Sequence, residues 1–308
     1  MKYCSFSHAG HERFGFQLSP GWVVDIREAG THLANSGGLP ETARQPLRTP
    51  DLLHWLLWER KGLEIAEAIR EAISDENRDE FCGVYSQREV RLLAPIKHPG
   101  KIIGVGLNYA DHAEEQNAAL PKTPRLFAKF PTAVIGPEVP IKLPSLSQKV
   151  DPEAELCVVI LERCSRISRE QAMDRAAFMI GNDVSARDLQ YSDKQWVRGK
   201  SCDTFAPCGP FVATVDEIGD PHALNIELSV NDEVRQSSNT RQLIFDCYEL
   251  IEFISQTSTL EPGDVIFTGT PSGVGVHRDP PVFLEAGDVV EVRIEKLGHL
   301  RNPVVADR

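Results

Sequence analysis

From about residue 101 onward the chain is written in short apolar runs, each closed by turn-forming residues: IIGVG, LCVVIL, FMIGND, IELSVND, DVIFTGTP and VVEVRI. Runs of four to eight residues rich in Val, Ile and Phe, bounded by Gly, Asn, Asp and Pro, are too short for core helices and have the composition of strands. A chain built this way must pair its runs into sheets, with one helix expected around Leu243–Ser255. The first ninety or so residues read differently. Strand-like FGFQL and WVVDI are followed by TPDLLHWLLWERKGLEIAEAIREAIS, in which Leu52, Leu53, Leu56 and Leu57 recur at helical spacing. Thr49 is placed there as the N-cap, Pro50 as the first helical residue and Gly62 as the break between two helices. The cluster APIKHPGK is the expected linker. The expectation is therefore an α+β chain, with residues 1–94 as an N-terminal domain of strands then helices and residues 95–308 as a β-rich domain.

Charge and cysteine usage narrow the function classes. With 45 acidic against 33 basic residues, the formal net charge is −12, which disfavours nucleic acid and anionic membrane as partners and favours a small molecule. Cys4, Cys82, Cys157, Cys164, Cys202, Cys208 and Cys247 contain no CxxC pair, so neither a disulfide framework nor a structural zinc site is expected. The start MKYCSFSHAGHERF lacks the basic and apolar regions of a signal peptide, and the expected compartment is the cytoplasm. GVGLNY carries Tyr109 where a dinucleotide loop needs its third glycine, so it reads as a turn at a strand end. No GxSxG or HExxH occurs, and His8 and His11 of HAGH are read as solvated turn residues.

The chemistry is carried by acids. In VDPEAEL, Glu153 and Glu155 stand two residues apart at the mouth of a buried strand, on one face. Asp183, in MIGNDVSARDLQ, falls at the end of a second strand and offers a third carboxylate. Three carboxylates with no histidine or thiolate form a hard-oxygen set suited to one Mg²⁺ or Mn²⁺ rather than zinc. Taken alone, Arg187 could equally pair with Asp188 at the surface, and Lys200 could be an ordinary exposed lysine. In NYADHAEEQNAA, His112 and Glu115 are three residues apart. On a helix they share a face, and the carboxylate can fix the imidazole tautomer.

KIIGVGLNYADHAEE, LFAKFPTAVIG, VDPEAELCVVI, GNDVSARDLQ, QWVRGKSCDTFAPCGP, TLEPGDVIFTGTPSGVG and FLEAGDVVEVRIEKLGHLRN follow one another between about Lys101 and Asn302. In that order they resemble the blocks of the fumarylacetoacetate hydrolase superfamily, including its acylpyruvate hydrolases and 2-hydroxyhepta-2,4-diene-1,7-dioate isomerase-like members. The resemblance implies a mixed β-roll catalytic domain beside a smaller N-terminal α/β domain, a homodimer, and a 2-oxo acid substrate. It implies Glu153, Glu155 and Asp183 as metal ligands and places Arg187, Gln190 and Lys200 in the substrate pocket. Thr270 of TGTP would hold the substrate carboxylate. His112 and Glu115 would form a base on a lid that orders over substrate. FAKFPTA departs from the more frequent FLKPPSA style of segment. The expected activity is hydrolysis of a carbon–carbon bond in a 2,4-dioxo acid such as fumarylpyruvate, with His112 activating water and Lys200 adding positive field. Oxaloacetate decarboxylation and 2-oxo acid isomerisation or tautomerisation are alternatives on the same site. A non-catalytic metal-binding dimeric scaffold is the alternative of another class.

Overall fold

The computed structural model describes residues 1–307. Its principal strands are β1 (Lys2–His8), β2 (His11–Ser19), β3 (Trp22–Asp25), β4 (Val84–Ser86), β5 (Ile102–Gly106), β6 (Arg125–Lys129), β7 (Ile141–Leu143), β8 (Ala154–Ile160), β9 (Ala176–Asn182), β10 (Ala206–Thr214), β11 (Asn225–Val230), β12 (Glu233–Asn239), β13 (Val265–Phe267), β14 (Val289–Ile294) and β15 (Gly298–Ala306), with short further pairings at Arg91–Leu93, Val134–Ile135, Val150–Asp151 and Ser185–Ala186. The main path of a twelve-stranded sheet runs β4-β3-β2-β1-β10-β9-β8-β13-β5-β6, and a five-stranded sheet runs β12-β11-β14-β15-β7. Most neighbours are antiparallel; β13 with β5 and β15 with β7 are parallel. The six apolar runs of the sequence all supply strands.

All seven residues of β8 and all seven of β9 are buried, which is why these runs show continuous hydrophobicity rather than the alternation of a half-exposed strand. Each buried aliphatic side chain contributes about 1.5–3 kcal/mol, so the pair is anchored in the core along its whole length. Their antiparallel register sets Ala154 opposite Asn182 and Glu155 opposite Gly181. The ends of β8 and β9 that meet are therefore the ends carrying the three acids.

The helical N-terminal region departs from the sequence expectation in two details. Helix α1 (Ile26–Asn35) is followed by a short helix, Leu52–Leu56, whose N-cap is Asp51: its side chain accepts from the His54 backbone N–H. Thr49 lies two residues further out, donating to Pro46 O and accepting from Trp58 Nε1. Gly62 sits inside α2 (Glu59–Ala72), not between helices; the chain breaks instead at Leu57 and Trp58. A Cβ at Gly62 would lie 3.1 Å from Trp55 O, so the glycine serves close approach of the two helices. The later helix, α3 below Asp246 (Cys247–Ser255), opens with a capping box between Asp246 and Glu249. Strands β1–β4 join the main sheet where β1 pairs with β10. His8 and His11 face each other across the β1–β2 hairpin, whose turn residues Ala9 and Gly10 both have positive φ.

Candidate functional site

The residues between β8 and β9 build a buried acid cluster. Glu153 precedes β8, Glu155 is its second residue, and Asp183 follows β9; one carboxylate oxygen from each lies within 4.8 Å of the other two. At that separation two unit charges repel by about 3–4 kcal/mol at an effective dielectric of ~20, so the cluster exists only with positive charge against it. Lys200 supplies part, donating to Glu153 Oε2 at 2.7 Å and to Asp183 Oδ2 at 2.5 Å. Lys129 donates to Asp183 Oδ1 at 2.5 Å and to Val184 O at 3.3 Å. Arg187 donates through Nε to Asp151 Oδ2 at 2.9 Å and through Nη1 to Gln190 Oε1 at 3.1 Å. Its Nη2 lies 2.6 Å from Glu153 Oε1, an ion contact without hydrogen-bond alignment. Arg187 and Lys200 are both buried, and Asp188 is bonded instead by Ser147 Oγ and Gln148 N–H.

The three acids are not equivalent. Burial raises the Glu153 carboxyl, but the charges of Arg187 and Lys200 outweigh it and hold the group well below the ordinary glutamate range. For Glu155, burial and the charges of Asp183 and Glu153 act together and push it well above that range. Its one hydrogen-bond donor among the described residues is the Gly269 N–H, at 2.7 Å to Oε2. Gly269 has φ +110 and its missing Cβ would lie 2.8 Å from Asn108 Cβ, so this donor requires glycine. Burial opposes charge on Lys200, yet Asp183 and Glu153 hold it above the usual lysine value; Lys129 is pulled below it, burial being the larger influence. An oxygen-only donor set with one carboxylate lacking a cationic partner fits a divalent hard cation, which the three acids could hold.

His112 and Glu115 lie on a short helix, Ala110–Glu115. The imidazole Nδ1 is 2.8 Å from Glu115 Oε2, and the other carboxylate oxygen accepts from Gly273 N–H at 2.8 Å. With Nδ1–H donating to Glu115, Nε2 is the basic nitrogen, and Gln116 Nε2 lies 2.7 Å from it. Burial raises the Glu115 carboxyl, while the contacts with His112 and Gly273 prevail and lower it. Ser238 Oγ donates to Asp111 Oδ2, tying down the start of the same helix. These contacts hold the helix so that His112 lines the same cavity as the three acids.

His112, Lys200, Arg187, Gln190, Thr270 and the three acids line one cavity of about 130 Å³. Glu115 stands behind His112 and is not part of the wall. Thr270 Oγ1 accepts from Gln236 Nε2, and Gln236 Oε1 accepts from Ala154 N–H, so one buried glutamine links the threonine to the acid-bearing strand. All nine residues singled out in the sequence therefore converge. Sequence reasoning missed Lys129, Asp151, Gln236, Gln116, Arg125, Phe127, Trp196 and His277. A signal existed for Lys129 and Asp151: strand periodicity puts Arg125, Phe127 and Lys129 on one face of β6, and Asp151 stands two residues before Glu153. His277, 5.9 Å from His112 between ring centroids, follows a loop with no readable pattern. Trp196 is admitted to the wall because Gly106 carries no side chain; a Cβ there would lie 2.5 Å from the indole ring.

No helix among the described residues is long and apolar enough to cross a membrane. The family model described as fumarylacetoacetate (FAA) hydrolase C-terminal matches residues 101–305. Oxaloacetate tautomerase FAHD2A, mitochondrial, of Bos taurus is 46% identical over 285 residues, covering 90% of this chain and 88% of that protein. Among solved structures, a fumarylacetoacetate hydrolase from psychrophilic Exiguobacterium antarcticum superposes with a TM-score of 0.80 at 35% identity, covering all of both chains. A 2-hydroxyhepta-2,4-diene-1,7-dioate isomerase from Mycobacterium marinum gives 0.72 at 34% identity, covering 100% of this chain and 99% of that one.

Proposed function

The chain belongs to the fumarylacetoacetate hydrolase family, and from that premise we propose that it is a tautomerase, assisted by Mg²⁺ or Mn²⁺, of a compact 2-oxo acid of the oxaloacetate kind. The observation that carries this reading is the cavity. Its volume of about 130 Å³ is well under the roughly 300–1,000 Å³ of pockets that hold drug-sized ligands, which suits a four-carbon acid better than a long acylpyruvate. The names of the bovine relative and of the isomerase support interconversion over cleavage. The hydrolase expected from the sequence rested on giving His112 a proton to remove from water; tautomerisation gives it another, on C3 of the substrate.

In this reading Thr270 and Gln190 orient the C1 carboxylate and the C2 carbonyl. His112, with Glu115 fixing its tautomer, takes a proton from C3 through Nε2. Gln116 must yield that nitrogen to substrate. The electron pair left on C3 forms the C2–C3 double bond, and the proton is delivered to the C2 oxygen, so nothing is cleaved and no water is consumed. The Lys200 ammonium stabilises the charge that develops on that oxygen. A divalent cation held by Glu153, Glu155 and Asp183 would supply Lewis-acid stabilisation there.

The test follows the enol of oxaloacetate by ultraviolet absorbance with Mg²⁺-loaded protein, alongside pyruvate release from oxaloacetate and acid release from a panel of acylpyruvates. Faster enol–keto exchange, with little pyruvate or acid formed, is the expected outcome. Acylpyruvate cleavage outpacing exchange would restore the hydrolase, and rapid pyruvate release would favour the decarboxylase.

A further inference from the structure

We propose that Arg125 recognises a second, distal carboxylate and makes the site selective for dicarboxylic 2-oxo acids; this deepens the tautomerase reading and rests on it. Side chains alternate along a strand, so Arg125, Phe127 and Lys129 project from the same face of β6. Two of the three are fixed in the site: Lys129 donates to Asp183, and the Phe127 ring centroid lies 5.1 Å from Lys200 Nζ. Arg125 lines the same cavity but is exposed. At about 3.3 Å per residue it stands roughly 13 Å from Lys129 along the strand, at the mouth where Lys129 is at the floor. Its pairing partner on β5 is Gly106, whose missing side chain leaves the space beside Arg125 to the Trp196 indole, another wall of the same cavity.

Charge bookkeeping at the cavity singles this residue out. Lys200 is committed to Glu153 and Asp183, Lys129 to Asp183 and Val184 O, and Arg187 to Asp151, Glu153 and Gln190. Among the described lysines and arginines at the cavity, Arg125 alone has no anionic or hydrogen-bonded side-chain partner. A guanidinium presents a planar fork of donors matched to a carboxylate. A dicarboxylate whose C1 end is held at the floor would direct its other end toward the mouth, within reach of that fork. A monocarboxylic 2-oxo acid would leave the arginine in water.

The experiment uses calorimetric titration of Mg²⁺-loaded protein with malate and with lactate, two 2-hydroxy acids that cannot enolise and that differ in the distal carboxylate. Wild-type protein is expected to bind malate about tenfold or more tightly than lactate, the scale of one charge-assisted hydrogen-bonded contact. Arg125→Gln should remove that preference by weakening malate alone, and Arg125→Lys should keep part of it. The corresponding kinetic signature is a raised KM for oxaloacetate with kcat little changed. Equal binding of malate and lactate by wild-type protein, or equal weakening of both in Arg125→Gln, would overturn the assignment. If Arg125→Gln unfolds, the wild-type ratio and the Arg125→Lys variant still decide it. Absence of oxaloacetate turnover in the wild type would instead remove the tautomerase reading, while the malate-to-lactate ratio continues to speak for Arg125.

Discussion

Two glutamates separated by a single alanine sit in opposite electrostatic situations, and single substitutions should expose the difference. Glu153 touches Arg187 and Lys200, so Glu153→Gln leaves two buried cations short of a partner. Breaking a buried pair in this way costs about 3–5 kcal/mol, and thermal unfolding of the metal-free variant should show a clear fall in Tm. Glu155 receives one backbone N–H and faces two other acids. Glu155→Gln should abolish Mn²⁺ binding, read by calorimetry or by the spectrum of the bound ion, while the metal-free protein keeps or gains Tm. Equal destabilisation by the two changes would contradict the assignment of charges. The acids were legible because carboxylates two apart at a strand mouth demand a cation. Arg187 was ambiguous because its neighbour in sequence, Asp188, turned out to serve Ser147 and Gln148, and only the fold could deliver Asp151 and Glu153 in its place. Asp151 is itself fixed by the Gly275 and Val276 N–H groups, a contact spanning more than a hundred residues of chain that no local pattern encodes.

At the scale of elements, the short helix Ala110–Glu115 is the part that chemistry asks to move. It is held by the His112–Glu115 contact, by Gly273 N–H on Glu115 and by Ser238 on Asp111. His112→Ala should lower enol–keto exchange by roughly 10²- to 10⁴-fold, the usual contribution of a positioned base, with metal affinity unchanged. Because the Glu115 carboxyl is held below its ordinary value of 4.5, the stability it contributes is fully present above that pH and is lost as pH falls through the lowered value. The helix should therefore loosen on acidification below about pH 4.5. A Glu115→Gln variant should lack this acid-dependent part of the change, which hydrogen exchange over residues 110–116 against pH would measure; identical profiles would refute it. Strand elements were the most legible feature, since a buried run such as Leu156–Leu161 has few alternatives to a central strand. Helix ends were less so. Thr49-Pro50 is a good start signal by itself, but the cap is Asp51, two positions after Thr49, and Gly62 marks packing against Trp55 rather than a stop. The order of strands in the sheet lies outside local pattern altogether: β8 lies between β9 and β13, and β13 is more than a hundred residues away.

For the molecule as a whole, β6 ends the main path of the large sheet, and it exposes apolar side chains on the strand and just past its end: Leu126 is 43% and Phe130 55% exposed. An end strand with such a face needs cover, and a second copy of this chain is the expected one. Light scattering at micromolar concentration should give twice the 34.2 kDa chain mass, and Phe130→Glu should shift it toward the monomer without loss of the fold; a monomeric wild type would contradict this. If a second copy covers this face, six consecutive residues carry two duties, with Arg125, Phe127 and Lys129 on the cavity side of the strand and Leu126, Ala128 and Phe130 on the side offered to the partner copy. Thermodynamic reciprocity then applies. If association steadies β6 for substrate, substrate must strengthen association by the same factor, and affinity measured in a dilution series should decline at the concentration where the particle mass halves.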